Sequence, residues 1–178
     1  MTHSRTLIQT ATAISIVLLA LLAGCSTDGG APSDAPRGDA TSSSNTNESG
    51  ANMPQVSGAA NEAPTISAPT GNPPSELVTE DVISGNGVAA VSDSTLTVHY
   101  TLMAWSTGEI IESSWAGEPA TFGLNQVITG WQQGIPGMKE GGRRLLVIPP
   151  SLGYGEAGGG PIGPNETLIF VVDLIKVN

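Results

Sequence analysis

The sequence predicts an α+β domain in which an antiparallel β-sheet curls around one short α-helix, preceded by a signal peptide and a disordered linker. Three observations carry this reading. From Thr95 the chain alternates, with Leu96, Val98, Tyr100 and Leu102 on one face of a strand and Thr95, Thr97, His99 and Thr101 on the other. Leu168 to Val177 is a near-continuous apolar run, as expected of a central strand covered on both faces. Between them, Thr129 to Trp131 opens a helix that Gly134 and Pro136 soon break. A Trp on so brief a helix has little of its own helix to pack against, so a sheet must cover it.

In chain order, Met1 to Gly24 has a basic start at Arg5 and an apolar run from Ala13 to Ala23. That run falls short of the ~20 residues that span a bilayer and suits the core of a signal peptide, so residues 1–24 are expected to be removed. Leu22-Ala23-Gly24-Cys25 resembles a bacterial lipobox. The resemblance implies lipid attachment to the Cys25 sulfur, cleavage before it, and a domain held by lipid at the bacterial cell envelope, outside the cytoplasm. Residues 25–74, rich in Ser, Asn, Gly, Ala, Thr and Pro and without apolar periodicity, read as a disordered tether that cannot bury enough surface to offset its ordering entropy.

The folded domain is expected over residues 75–178. Leu77, Val78, Val82 and Ile83 form an opening strand that ends at the turn Ser84-Gly85-Asn86-Gly87. After the strand that carries Tyr100, Ser106-Thr107-Gly108 turns the chain into a short strand, Glu109 to Glu112, and a loop holding Trp115. Thr121 to Leu124 is a brief strand leading to the helix, and Gly141-Gly142 turns into a strand from Arg143 to Ile148. The stretch Gly155 to Glu166 is too rich in Gly and Pro for regular structure and reads as a flap.

Composition excludes several functions. The net charge of −10 and the lack of a basic patch speak against a nucleic-acid partner. Arg143 and Arg144 form an isolated pair, which reads as a strand edge or solvated face. One cysteine, Cys25, and two distant histidines, His3 and His99, leave no internal disulfide and no metal site of ordinary ligand count, and no cofactor is implied. His99 has no Ser, Cys or Asp partner at a suggestive spacing, which points to a surface or hydrogen-bonded role. With no dimerisation heptads, a monomer is expected.

Val127, Ile128, Gly130, Trp131, Gly134, Met138, Gly141, Pro149, Tyr154 and Gly155 fall in the order of the central signature of the FKBP-type peptidyl-prolyl isomerases, which this stretch resembles. Val98 to Thr101, Gly108 to Ser114 and Thr167 to Val177 extend the resemblance over about the last hundred residues. It implies an FKBP-like fold with Trp131 as the floor beneath a proline ring and Tyr100, Val127, Ile128 and Phe170 as walls. The Ile128 N–H and Tyr154 hydroxyl would hold substrate carbonyls, and Ile162 would sit in the flap. Ile111 and Glu112 stand where the family usually shows Phe-Asp, Ala120 where it shows an aromatic, and Leu152 where a first tyrosine is common. A small insertion falls near Trp105 to Gly108.

No acid–base pair, nucleophile or metal cluster is apparent, so an enzyme here must work without proton transfer or covalent attack. Prolyl isomerisation fits that restriction, because its barrier of ~18–20 kcal/mol comes from amide resonance alone. The implied partners are proline-containing polypeptides, with macrolide inhibitors using the same contacts, and the implied role is to assist folding of exported proteins. The alternative is a non-catalytic module or chaperone of the same fold that holds a proline segment without turning it over.

Overall fold

The computed structural model describes residues 53–178. The signal peptide assigned to residues 1–24, the lipidation site Cys25 and the tether as far as residue 52 lie outside the described residues. The elements are β1 (Val56–Ser57), β2 (Thr65–Ile66), β3 (Val78–Ile83), β4 (Thr95–Ala104), β5 (Ile110–Ser113), β6 (Ala120–Gly123), α1 (Thr129–Gly134), β7 (Arg143–Ile148) and β8 (Leu168–Val177). Short 3-10 turns occur at Ser114–Ala116, Leu124–Gln126 and Pro150–Leu152.

Six strands form an antiparallel sheet in the order β3-β7-β8-β4-β5, with β6 also on β4. The two longest strands, β4 and β8, pair along most of their length, from Leu96 opposite Val177 to Ala104 opposite Leu168. The free edge of β4 is shared, with β6 against Thr95 to Val98 and β5 against Thr101 to Met103. Alternation along each strand then sorts side chains onto two faces. Leu96, Val98 and Leu102 of β4, Leu146 and Ile148 of β7, and Leu168, Phe170, Val172 and Leu174 of β8 bury against Trp131, Ile135 and Met138 on the concave face. Each fully buried side chain of this size contributes about 1.5–3 kcal/mol, so this face supplies most of the driving force.

The convex face is also apolar. Met103, Trp105, Leu145, Val147, Ile169 and Val171 form a second cluster, covered in part by Met53, Val56 and Ile66. These come from residues 53–74, which the sequence assigned to the disordered tether. In the structure that part of the tether is an ordered strap. Its β1 and β2 pair as a small antiparallel ribbon, Val56 opposite Ile66, and lie over the back of the sheet.

The strap is held by a residue that the sequence reading placed on an edge or in solvent. Arg143 is fully buried and lies on β7, which runs between β3 and β8. Its Nε and Nη2 donate to Asp173 at 2.6 and 2.7 Å, while Nη1 donates to the Gly58 carbonyl at 3.2 Å and Nη2 to the Glu62 carbonyl at 2.6 Å. Leaving the N–H groups of a buried guanidinium unpaired is costly, and the strap's two carbonyls bring the number engaged to four of five. Arg144 points the other way, to Asp81 at 2.6 Å and the Gly134 carbonyl at 2.8 Å, tying the edge strand β3 and the end of α1 to β7. The expected strand Glu109 to Glu112 forms one residue later, as β5.

Candidate functional site

Two glycines set the position of the helix. A Cβ on Gly130 would stand 2.4 Å from Ile148 Cγ2, and one on Gly134 would stand 2.6 Å from Leu146 Cδ2. Four residues apart, they share one helix face, and their lack of side chains lets α1 lie directly on β7. The helix is entered at Ile128, whose carbonyl accepts from the N–H groups of Trp131 at 3.0 Å and Gln132 at 3.3 Å. Gln132 Nε2 donates to the Val127 carbonyl at 2.8 Å, fixing the approach from the other side. Among the described residues no acceptor takes the Ile128 N–H.

Trp131, only 3% exposed, is thereby pressed towards the sheet. Three rings stand steeply to its plane: Tyr100 at 6.0 Å and 85°, Phe122 at 5.4 Å and 65°, and Phe170 at 5.2 Å and 89° between centroids and planes. Edge-to-face contacts of this kind place the positive ring edges against the electron-rich face of a neighbour. The indole is thus the floor of a bowl with upright aromatic sides. Val127, Ile128 and Ile111 are half-buried and pack against the same cluster, while Phe170 and Ile162 are buried in it.

The polar side of the bowl is one short hydrogen bond, from the Tyr100 hydroxyl to Glu112 Oε1 at 2.5 Å. Partial burial, and then the Glu112 carboxylate as hydrogen-bond partner and negative neighbour, push the Tyr100 phenol up to about 12. It therefore stays a donor at any physiological pH. Behind it, Ser114 Oγ takes the Tyr100 N–H at 2.9 Å and lies 2.9 Å from His99 Nδ1, and the His99 ring stacks on Trp115 at 4.2 Å. His99 is on the outer side of the strand, hydrogen-bonded as expected. Trp115 Nε1 is buried without a hydrogen-bond partner among the described residues.

Tyr154 stands slightly apart, 43% exposed and at the rim. Its ring lies against Gly159, where a Cβ would come within 3.0 Å of it. The flap, residues 155–167, folds back on itself through mutual hydrogen bonds between Gly159 and Ile162, both 2.9 Å, and is closed at its neck by Asn165 N–H to the Gly155 carbonyl at 3.0 Å. Ile162 is thus the flap residue that reaches the core, and the half-buried Leu152 packs against the same cluster. Two hollows, of about 700 and 460 Å³, lie elsewhere, between the strap and the root of the flap. They are wide open and in part polar, whereas the bowl combines a dry floor with converging aromatic sides, and it is the better candidate site on chemical grounds.

The structure therefore brings Tyr100, Ile111, Val127, Ile128, Trp131, Ile162 and Phe170 into one cluster, joins Glu112 to it through Tyr100, and leaves Tyr154 at the edge. The sequence reading missed Phe122. Register shows why it belongs: Ala120 and Phe122 lie opposite Val98 and Leu96, so both point inward, and the ring two residues along from Ala120 reaches the indole. Strand alternation from Ala120 was the signal that could have found it.

Residues 87–175 match the family model described as FKBP-type peptidyl-prolyl cis-trans isomerase. The chain is 50% identical over 121 residues to the FK506-binding protein of Streptomyces anulatus, covering 65% of this chain and 98% of that protein. It is 48% identical over 106 residues to the FK506-binding protein of Neisseria meningitidis serogroup A, covering 57% of this chain and 95% of that one. The crystal structure of FkpA from Escherichia coli superposes with a TM-score of 0.55 at 42% identity, covering 57% of this chain and 48% of that one.

Proposed function

Since the chain belongs to the FKBP-type peptidyl-prolyl cis-trans isomerase family, we propose that it catalyses X-Pro isomerisation in the Trp131 bowl, acting on exported proteins from a lipid anchor at Cys25. The observation that carries the mechanism is the buried indole ringed edge-on by Tyr100, Phe122 and Phe170. A planar amide is strongly dipolar, and the twisted transition state, having lost resonance, is less so. A dry aromatic surface therefore favours the twisted form over the planar one, and no proton needs to move. Ile128 N–H and Tyr154 Oη would hold the carbonyls flanking the proline, and Tyr100, kept protonated, would keep Glu112 engaged rather than facing the substrate.

Ile111 and Ala120 leave the bowl with fewer rings than the family pattern, which supports the second reading, a proline-segment binder with little turnover. One experiment separates the two: a protease-free isomerisation assay on a Leu-Pro tetrapeptide, with the Tyr154→Phe and Trp131→Leu variants. Catalysis predicts acceleration that falls by up to about ten-fold on loss of the Tyr154 hydrogen bond and further with Trp131→Leu. Binding of the peptide without acceleration would leave only the binder. FK506-type macrolides are expected to compete for the bowl. The anchor has its own check, since labelled fatty acid should be incorporated by cells making the natural chain and not by those making Cys25→Ala.

A further inference from the structure

The short insertion after β4 has no part in the bowl, yet it grips the flap. Trp105 N–H donates to the Thr167 carbonyl at 3.0 Å, extending the ladder of β4 and β8 one step beyond Ala104 and Leu168. Ser106 then takes both oxygens of the Glu166 carboxylate, its N–H reaching Oε1 at 3.0 Å and its Oγ reaching Oε2 at 2.6 Å. The Trp105 indole turns away from the flap and donates to the Gly71 carbonyl of the strap at 3.2 Å. Glu166 directly follows Asn165, whose N–H closes the flap's neck on Gly155, the residue after Tyr154. On either side of this root are the two open hollows, which share Pro73, Asn165 and Thr167 as lining. Gly163, Pro164 and Asn165 are exposed and Glu166 half-buried, so the position of the neck depends on hydrogen bonds, and those to a carboxylate are roughly twice as strong as neutral ones.

We propose that Ser106 and Glu166 form a clasp that positions the flap, and through its neck sets where the Tyr154 hydroxyl stands over the bowl. The inference rests on the isomerase reading for its effect on rate, although the clasp itself is testable without it. Small displacements of a substrate-holding group cost rate steeply. The clasp residues are positioning residues and touch no substrate.

The test uses the full chain with Glu166→Ala and Glu166→Gln, each alone and combined with Tyr154→Phe. Glu166→Ala should lower kcat/KM by about ten-fold, mainly by raising KM, because the Tyr154 hydrogen bond serves substrate and transition state alike. Glu166→Gln keeps an acceptor for the Ser106 N–H and a group able to pair with Oγ, and should recover most of the loss. In the Tyr154→Phe background the effect of Glu166→Ala should shrink to about two-fold or less, as expected of coupled residues. A loss undiminished in that background, or no recovery with Gln, overturns the proposal. Hydrogen exchange provides the readout that needs no turnover: the Gly159, Ile162 and Asn165 amides should exchange faster in Glu166→Ala while those of β7 and β8 do not change. Unchanged flap exchange, or equal acceleration throughout the sheet, overturns it equally. Should the natural chain fail to accelerate isomerisation, the isomerase reading falls and the exchange result alone decides the clasp.

Discussion

The concave and convex faces of the sheet are both buried, and they are buried by different means. On the concave side, large apolar side chains from β4, β6, β7, β8 and α1 interlock, and the cover is itself side chain. On the convex side a smaller apolar patch sits beside a buried Arg143–Asp173 pair, and part of the cover is backbone, the Gly58 and Glu62 carbonyls of the strap. The difference teaches that a sheet can be sealed by packing or by satisfying a charge. The first tolerates a rim open to solvent, where a site can be placed. The second fails as a unit when one partner is lost.

The sharpest way to break the convex face is Arg143→Ala, which strands Asp173 without its partner and frees the strap's carbonyls. It should cost about 3–5 kcal/mol in urea unfolding, while kcat/KM of the folded protein stays near that of the natural chain. Joint replacement by Met at 143 and Leu at 173 should regain much of this stability. A rate that collapses while the protein remains folded would mean that the two faces are not separable.

A smaller blow to the concave face comes from Gly130→Ala, whose new methyl meets Ile148 side-chain atoms at 2.4 to 2.9 Å. Overpacking of this kind costs about 1–3 kcal/mol, and here it should also depress activity, because the helix that shifts carries Trp131. Full activity in this variant would show that the floor of the bowl need not be held so closely. The least effect is on titration. With Tyr154→Phe, Tyr100 is the one tyrosine left of two, and its phenolate absorbance should rise well above the usual pH of about 10, then move down with Glu112→Gln. Because the folded value lies above the unfolded one, the stability that Tyr100 contributes is complete below pH 10 and lost as pH rises through about 12. An ordinary midpoint would mean that the bond to Glu112 is not maintained in solution.

The concave face was legible because its information is in side-chain pattern. The alternation of Leu96 to Leu102, the run Leu168 to Val177 and the bounded helix at Thr129 each declare a period, and their colinear arrangement gave the fold and most of the bowl. The strap was not legible. Met53, Val56 and Ile66 are too far apart to make a pattern, and the contacts that hold the segment use carbonyls, which every residue has. Arg143 was misread for a related reason, since nothing local distinguishes an arginine that faces water from one whose partner lies thirty residues on in an apolar run. Phe122 was missed for want of register, which decides whether a ring in a short strand faces in or out.

The strap begins with Met53 packed on the back of the sheet. Tension applied at Met53 would therefore fall first on a two-residue ribbon and a guanidinium, in the manner of a zip pulled from its end, and only later on the long central strands. The aromatic rings on the far face would keep their spacing while the strap peels away.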